Sequence, residues 1–149
     1  MKDNFSSDSD KYAKYRPTYP DALFTYLADI TAGNENAWDC ATGNGQVAVK
    51  LSPIFNHVYA TDISQAQLDN AAQGPNIHYS LQPAESTSFN DHFFDLIIVG
   101  QAVHWFKFDK FYAEVNRTAK DGALFVLVGY GNVKITPALD EIIYQLYET

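Results

Sequence analysis

Short apolar runs alternate with helical stripes along this chain, and the order of those patterns predicts the fold. Leu23, Leu27 and Ile30 recur at helical spacing behind Tyr19-Pro20-Asp21, where Pro20 suits a first helical turn; Gly33-Asn34 is the stop signal. Residues 37–41 form a short apolar strand that runs into glycines at Gly43 and Gly45. Residues 46–51 then start a helix with Val47 and Leu51 on one face, and 57–61 form a second strand closed by Asp62. Ser64-Gln65-Ala66-Gln67 has the spacing of a capping box, which predicts a helix running to the Gly74-Pro75 stop. Residues 77–81 are a third strand. Residues 94–99 are a fourth, whose unbroken apolar run implies burial on both faces. Phe108, Phe111, Tyr112 and Val115 form the stripe of the next helix, 123–128 is a fifth strand, and Thr136-Pro137 opens a last helix carrying Leu139, Ile142, Ile143 and Leu146.

Strands alternating with helices at these intervals predict right-handed βαβ units and an α/β, doubly wound, mainly parallel sheet of about five strands. Such sheets take ligands beyond the carboxyl ends of their strands, where the strand order reverses. The loops after strands one to four are therefore the place to look for chemistry.

Composition narrows that chemistry. A chain of 149 residues, 46% hydrophobic, has the size of one domain with a real core. Its net charge of −8 comes without any Lys/Arg cluster, which argues against nucleic acid as a partner. The single cysteine, Cys40, lies in the first strand, excludes an intramolecular disulfide and reads as a buried, inert thiol. His57, His78 and His92 have no spacing that suggests a metal site, so no metal is expected. The polar start lacks a secretory apolar segment and no run reaches the roughly 18 residues of a membrane span; no membrane partner and a cytoplasmic location are the expectations.

The glycine loop, Asp39-Cys40-Ala41-Thr42-Gly43-Asn44-Gly45-Gln46, is ambiguous by itself. Gly43-x-Gly45-x-x-Ala48 with Asp62 downstream fits a dinucleotide fingerprint, hence an NAD(P)-dependent oxidoreductase. Against that, Asp39 near the end of the first strand repels a pyrophosphate and attracts an ammonium or sulfonium cation. A helical segment also precedes the first strand, whereas dinucleotide domains commonly begin with that strand.

On these residues the chain resembles the class I S-adenosylmethionine-dependent methyltransferases. Asp39-x-Ala41-x-Gly43-x-Gly45 resembles their first motif, with Ala41 where a glycine usually stands. Asp62-Ile63-Ser64 is similar to the acidic turn after strand two, and Pro83-Ala84-Glu85 to the loop after strand three. The segment from Gly100-Gln101 through His104-Trp105-Phe106, and Tyr15-Arg16-Pro17-Thr18-Tyr19-Pro20, resemble the small-molecule (type 11, trans-aconitate methyltransferase-like) branch. The resemblance covers about residues 12–131. It implies a Rossmann-like fold, S-adenosyl-L-methionine as cofactor and a small-molecule acceptor, with a carboxylate as one candidate.

The same resemblance implies roles. The Gly43 and Gly45 turn, with Ala41, would meet the methionyl carboxylate, and Asp39 the methionyl ammonium. Asp62 would accept from both ribose hydroxyls, Ile63 would cover the adenine, and Ala84 and Glu85 would lie at its edge. Gln101 would line the methyl-donor side, and Arg16 or Tyr19 would close over the methionyl end. Each has a plainer alternative: Asp39 holding the loop, Asp62 capping the next helix, Glu85 a solvated acid, Arg16 a surface residue. His104 is the candidate base, needed only if the acceptor must lose a proton, and otherwise part of a hydrophobic wall with Trp105 and Phe106.

Family members continue into an antiparallel strand pair, which is not expected within residues 1–149. The expectation is a single cofactor-binding domain over residues 1–149, truncated at its C-terminal end. The apolar segment 124–128, from Leu124 to Val128, is then an exposed edge through which a homodimer would form. A cofactor-binding piece without turnover is a further alternative.

Overall fold

A computed structural model describes residues 18–131 together with Thr136, Pro137 and Leu139. Arg16 and the positions Ile142, Ile143 and Leu146 of the expected last helix lie outside the described residues. The elements are α1 (Asp21–Ile30), β1 (Asn36–Cys40), α2 (Gln46–Leu51), β2 (His57–Asp62), α3 (Gln65–Asp69), β3 (Ile77–Leu81), β4 (Phe94–Gly100), a single 3₁₀ turn (Val103–Trp105), α4 (Phe108–Thr118) and β5 (Ala119–Val128). The five strands form one sheet in the order β3-β2-β1-β4-β5, parallel throughout. The order reverses between β1 and β4, so the crevice lies beyond Cys40 and Gly100.

Two apolar layers clamp the sheet. On one face Ala37, Val58, Ala60, Leu96 and Ile98 pack against Phe24 and Leu27 of α1 and Val47, Ala48 and Leu51 of α2. On the other, Trp38, Ile97 and Val99 pack with Phe106, Phe111 and Val115. All seven residues of β4 are buried, as their apolar run predicts. Trp38 is fully buried and donates through Nε1 to Thr61 Oγ1 at 2.9 Å. Phe89 and Phe94 meet edge-to-face with their centroids 4.9 Å apart, which extends this aromatic layer under β2.

Several boundaries differ from the sequence reading. Strand β1 ends at Cys40 because Ala41 turns to φ 57°, outside strand geometry. In α1 the buried side chains are Phe24 and Leu27, while Ile30 is 45% exposed. Helix α3 stops at Asp69, well short of Gly74, and no side-chain cap bond from Ser64 closes its start. Its N-terminal acceptor is instead Asp62, whose Oδ1 takes the Ser64 N–H at 2.9 Å. Strand β5 begins at Ala119, four residues earlier than the apolar run. Gly122, at φ 77°, lies where the β4–β5 register shifts from Phe94↔Ala119 to Leu96↔Leu124. At the chain's far end the Leu139 N–H donates to Thr136 Oγ1 at 3.4 Å, at the expected cap.

Two buried carboxylates tie the frame together away from the crevice. Asp95 Oδ2 accepts the N–H groups of Asn36 and Glu35 at 2.9 and 3.1 Å, and Oδ1 pairs with Lys120 Nζ at 2.8 Å. Glu114 receives Thr87 N–H at 2.8 Å and Arg117 at Nε and Nη2, and so fastens the β3–β4 connection to α4. Burial acts to raise both carboxyls, but the bonds they accept outweigh it and hold them below the usual carboxylate range. A depressed folded value gives stability that is complete above the unfolded pKa and is lost as pH falls through the folded one. Urea midpoints should therefore be flat from neutral pH to about 5 and fall below about 4, and Lys120→Met should remove part of that dependence. A midpoint insensitive to acid would contradict the linkage.

Candidate functional site

The carboxyl ends of β1, β2 and β4 converge on one loop. Asp39, 1% exposed, sits between Ala60 of β2 and Ile98 of β4 in the parallel register. Its Oδ2 accepts the Thr42 hydroxyl at 2.5 Å, which pins the first residues of the turn. The chain then passes through left-handed conformations at Ala41 (φ 57°), Gly43 (φ 57°) and Gly45 (φ 83°). Ala41 has a side chain in a region costing roughly 1–2 kcal/mol, a strain of the kind stored at functional turns. Gln101 shows the same at φ 56°, one strand over, directly after Gly100.

Asp62 organises the turn from β2. Its Oδ2 accepts the Gly43 N–H at 2.8 Å and its Oδ1 the Ser64 N–H, so each oxygen holds one backbone amide. A carboxylate offers about four lone-pair directions, which leaves two acceptor sites. The helix-capping alternative and the ligand-binding one are therefore compatible in a single side chain.

The glycine at position 45 has an internal reason. A β-carbon built there collides with the Tyr79 hydroxyl, which donates to Ala72 O at 2.6 Å. Burial, and then the charge of Asp39, push the Tyr79 phenol up to about 12. Cys40, fully buried, is raised by burial and then by Asp39, Asp62 and Glu85. The thiol is buried, as expected, and it reports three carboxylates converging on this end of the sheet. That field favours a cationic guest.

Tyr19 covers the crevice. A β-carbon at Gly100 would lie 2.7 Å from its hydroxyl oxygen. With Asp39, Ala41, Thr42, Gln46, Val47 and Gly100, Tyr19 lines a cavity of about 10 Å³, the space of about one water. A larger groove of about 220 Å³ adjoins it, lined by Thr18, Tyr19, Gln46, Val49 and Ala72. Lys50, also on that groove, is paired with Asp21 at 2.5 Å.

The other expected residues are placed as follows. Ile63 is half-buried directly after Asp62. The Ala84 side chain is 4% exposed and packs in the Trp38 layer, so only its backbone is left to face a ligand. Glu85 is not simply solvated: its Oε1 accepts the Lys107 N–H at 3.0 Å, at the entrance to α4. Gln101 donates through Nε2 to Tyr130 O at 3.2 Å. His104 and Trp105 are exposed on the 3₁₀ turn with rings 5.0 Å apart, whereas Phe106 is in the core. The three are thus not one hydrophobic wall. Thr42, Gln46, Gly100 and Tyr79 were missed by sequence reasoning. Thr42 and Gln46 stood within the glycine-loop segment, while Tyr79 carried no local signal at all. The β2–β3 register brings His57 Nδ1 within 3.3 Å of His78 Nε2, a neighbourhood invisible in their spacing. Among the described residues no group of three or more metal-ligating side chains forms, and no helix is long and apolar enough to cross a membrane.

Residues 38–127, from Trp38 in β1 to Leu127 in β5, match the family model described as "Methyltransferase domain". The chain belongs to the class I S-adenosylmethionine-dependent methyltransferases. A provisionally named methyltransferase of Dictyostelium discoideum is 34% identical over 151 residues, 99% of this chain and 57% of the relative. A solved structure from Anaeromyxobacter dehalogenans, provisionally named a type II methyltransferase, shares 38% identity at a TM-score of 0.79. The match covers 90% of this chain and 57% of that one. Geranyl diphosphate C-methyltransferase of Streptomyces coelicolor, solved with S-adenosyl-L-homocysteine, has the same fold at TM-score 0.63 and 17% identity, over 71% of this chain and 44% of its own. The chain thus spans just over half the length of the first relatives it matches. Family membership answers the ambiguity of the glycine loop against the oxidoreductase reading.

The methyltransferase cofactor fits the donor set observed here. Its amino-acid end carries an ammonium and its sulfur a positive charge, and the acids around the loop supply acceptors and negative potential for both.

Proposed function

We propose that this methyltransferase domain binds S-adenosyl-L-methionine at the Asp39–Gly45 turn and serves methyl transfer to a small-molecule acceptor of the type 11 branch, with a carboxylate as one candidate. The observation that carries the reading is the pair of acids on neighbouring strands: Asp39 buried beneath the turn, Asp62 gripping it from the side. Asp39 serves the ammonium end, directly or through the water-sized cavity. The two unused acceptor directions of Asp62 serve the ribose hydroxyls. Ile63, the Ala84 backbone and Glu85 border the adenine; Arg16 or Tyr19 closes the methionyl end.

The cofactor supplies an electrophilic methyl on a sulfonium. The protein's contribution is alignment and exclusion of water, with Tyr19 and Gln101 flanking the mouth of β4. His104, exposed at that rim, takes a proton only from an acceptor that must lose one; a carboxylate acceptor needs no base.

Calorimetric titration with S-adenosylhomocysteine against NAD is the deciding test. Binding of the first and not the second is expected, and Asp39→Ala should weaken it by about tenfold or more. Affinity unchanged by that substitution would remove the ammonium role. The exposed outer side of β5, where Leu127 is 45% exposed, supports the proposed homodimer through 124–128. Sedimentation should then find dimers that Leu127→Lys disperses; a monomeric wild-type chain rejects the idea.

A further inference from the structure

The side-chain oxygen of Gln46 in the crevice wall has no use in the fold. Gln46 Oε1 is sealed from solvent and has no hydrogen-bond partner. Gln46 is the first residue of α2 and lines both the small polar cavity and the adjoining groove; with Tyr19 it forms the partition between them. An amide oxygen held this way costs stability, because water that would have satisfied it has been expelled. Its neighbours in the cavity wall make the missing partner specific. Asp39 is an acceptor whose Oδ2 already takes the Thr42 hydroxyl; Tyr19 brings a buried hydroxyl to the same wall, and the remaining lining from Ala41, Val47 and Gly100 is apolar or backbone. A wall that presents a carboxylate and an amide oxygen, with only the neutral Tyr19 hydroxyl beside them, suits a donor with several N–H groups and a positive charge.

We infer that Gln46 is a specificity residue for the α-ammonium group of the cofactor, sharing that cation with Asp39. The inference rests on the proposed cofactor reading and adds to it a discriminating contact: a nucleoside thioether without the amino-acid end gains nothing from Gln46. It also predicts opposite effects in the free and bound protein. The oxygen is a defect until the ligand's N–H reaches it, so an apolar isostere should help the free protein and harm the complex.

The test uses Gln46→Met, which keeps length and volume and removes the oxygen. Thermal unfolding of the free variant should occur about 2–4 °C above wild type. Calorimetry should show S-adenosylhomocysteine bound about tenfold more weakly. Affinity for 5′-methylthioadenosine, which has the same nucleoside and sulfur but no amino-acid end, should be unchanged. A variant that unfolds earlier than wild type would show that the amide has a structural partner, and would overturn the assignment. So would equal loss of affinity for both ligands, or no loss for either. If wild type itself fails to bind S-adenosylhomocysteine, it is the cofactor reading that falls. Binding to wild type with no preference for it in the Gln46 comparison defeats this inference alone.

Discussion

Asp62→Ala should reduce affinity for S-adenosylhomocysteine by at least about 100-fold and destabilise the free protein by about 2–4 kcal/mol. The two effects come from the same carboxylate. Its oxygens hold the Gly43 and Ser64 N–H groups at 2.8 and 2.9 Å, and a bond from an amide to a charged acceptor contributes about 1.5–3 kcal/mol. Removing the side chain frees the glycine turn from β2 and leaves two backbone donors unpaired, that of Ser64 buried and that of Gly43 partly buried. On the proposed cofactor reading, the affinity loss follows from the two remaining lone-pair directions, each offered to a ribose hydroxyl. Asp62→Asn separates the contributions: it keeps one acceptor oxygen and turns an NH₂ toward one backbone N–H. Its stability should fall between the other two proteins, with affinity still strongly reduced. Calorimetry and urea unfolding on the three proteins make the comparison. An alanine variant that binds within threefold of wild type would leave Asp62 a purely structural clasp.

Gly45→Ala is expected to cost about 2–3 kcal/mol and to displace the turn enough to weaken cofactor binding as well. Left-handed backbone is only part of the reason. Ala41 already carries a methyl group at φ 57° in the same loop, so this fold tolerates a side chain in that conformation. What distinguishes Gly45 is the Tyr79 hydroxyl, which occupies the place a β-carbon would take. Inserting the methyl drives the phenol off Ala72 O and breaks a 2.6 Å bond that ties the segment after α3 to β3. The double variant Gly45→Ala/Tyr79→Phe should therefore recover part of the loss, the steric part, and leave the cost of the left-handed φ. Urea unfolding of the two single variants and the double variant closes a thermodynamic cycle in which adjacent residues couple. Additive effects would mean that Tyr79 is not the obstruction.

These residues also mark how far the sequence could be read. The order of elements, the parallel sheet, the buried fourth strand and the crevice beyond Asp39 follow from periodicity and chain order, because burial on one or both faces leaves its imprint locally. The glycine loop and Asp62 were legible for the same reason: a tight turn and the acid after the next strand recur at fixed intervals. Local patterns misjudged the edges. Ser64 had the composition of a cap, but Asp62, two residues earlier, supplies the acceptor, since its carboxylate already points back to hold Gly43. Residues 119–122 lay outside the expected strand 123–128, yet pairing with β4 and the anchoring of Lys120 by Asp95 draw them into β5.

What chain order alone determined, then, is the architecture and the place of the glycine turn between Asp39 and Asp62. What only the tertiary structure decided is who touches whom across strands: Tyr79 against Gly45, Tyr19 over Gly100, Glu85 on the entrance to α4, and the unsatisfied oxygen of Gln46 in the same wall as Asp39. Periodicity records which way a side chain faces. It does not record which distant residue meets it there, because that depends on strand register and on the path of the connections between strands.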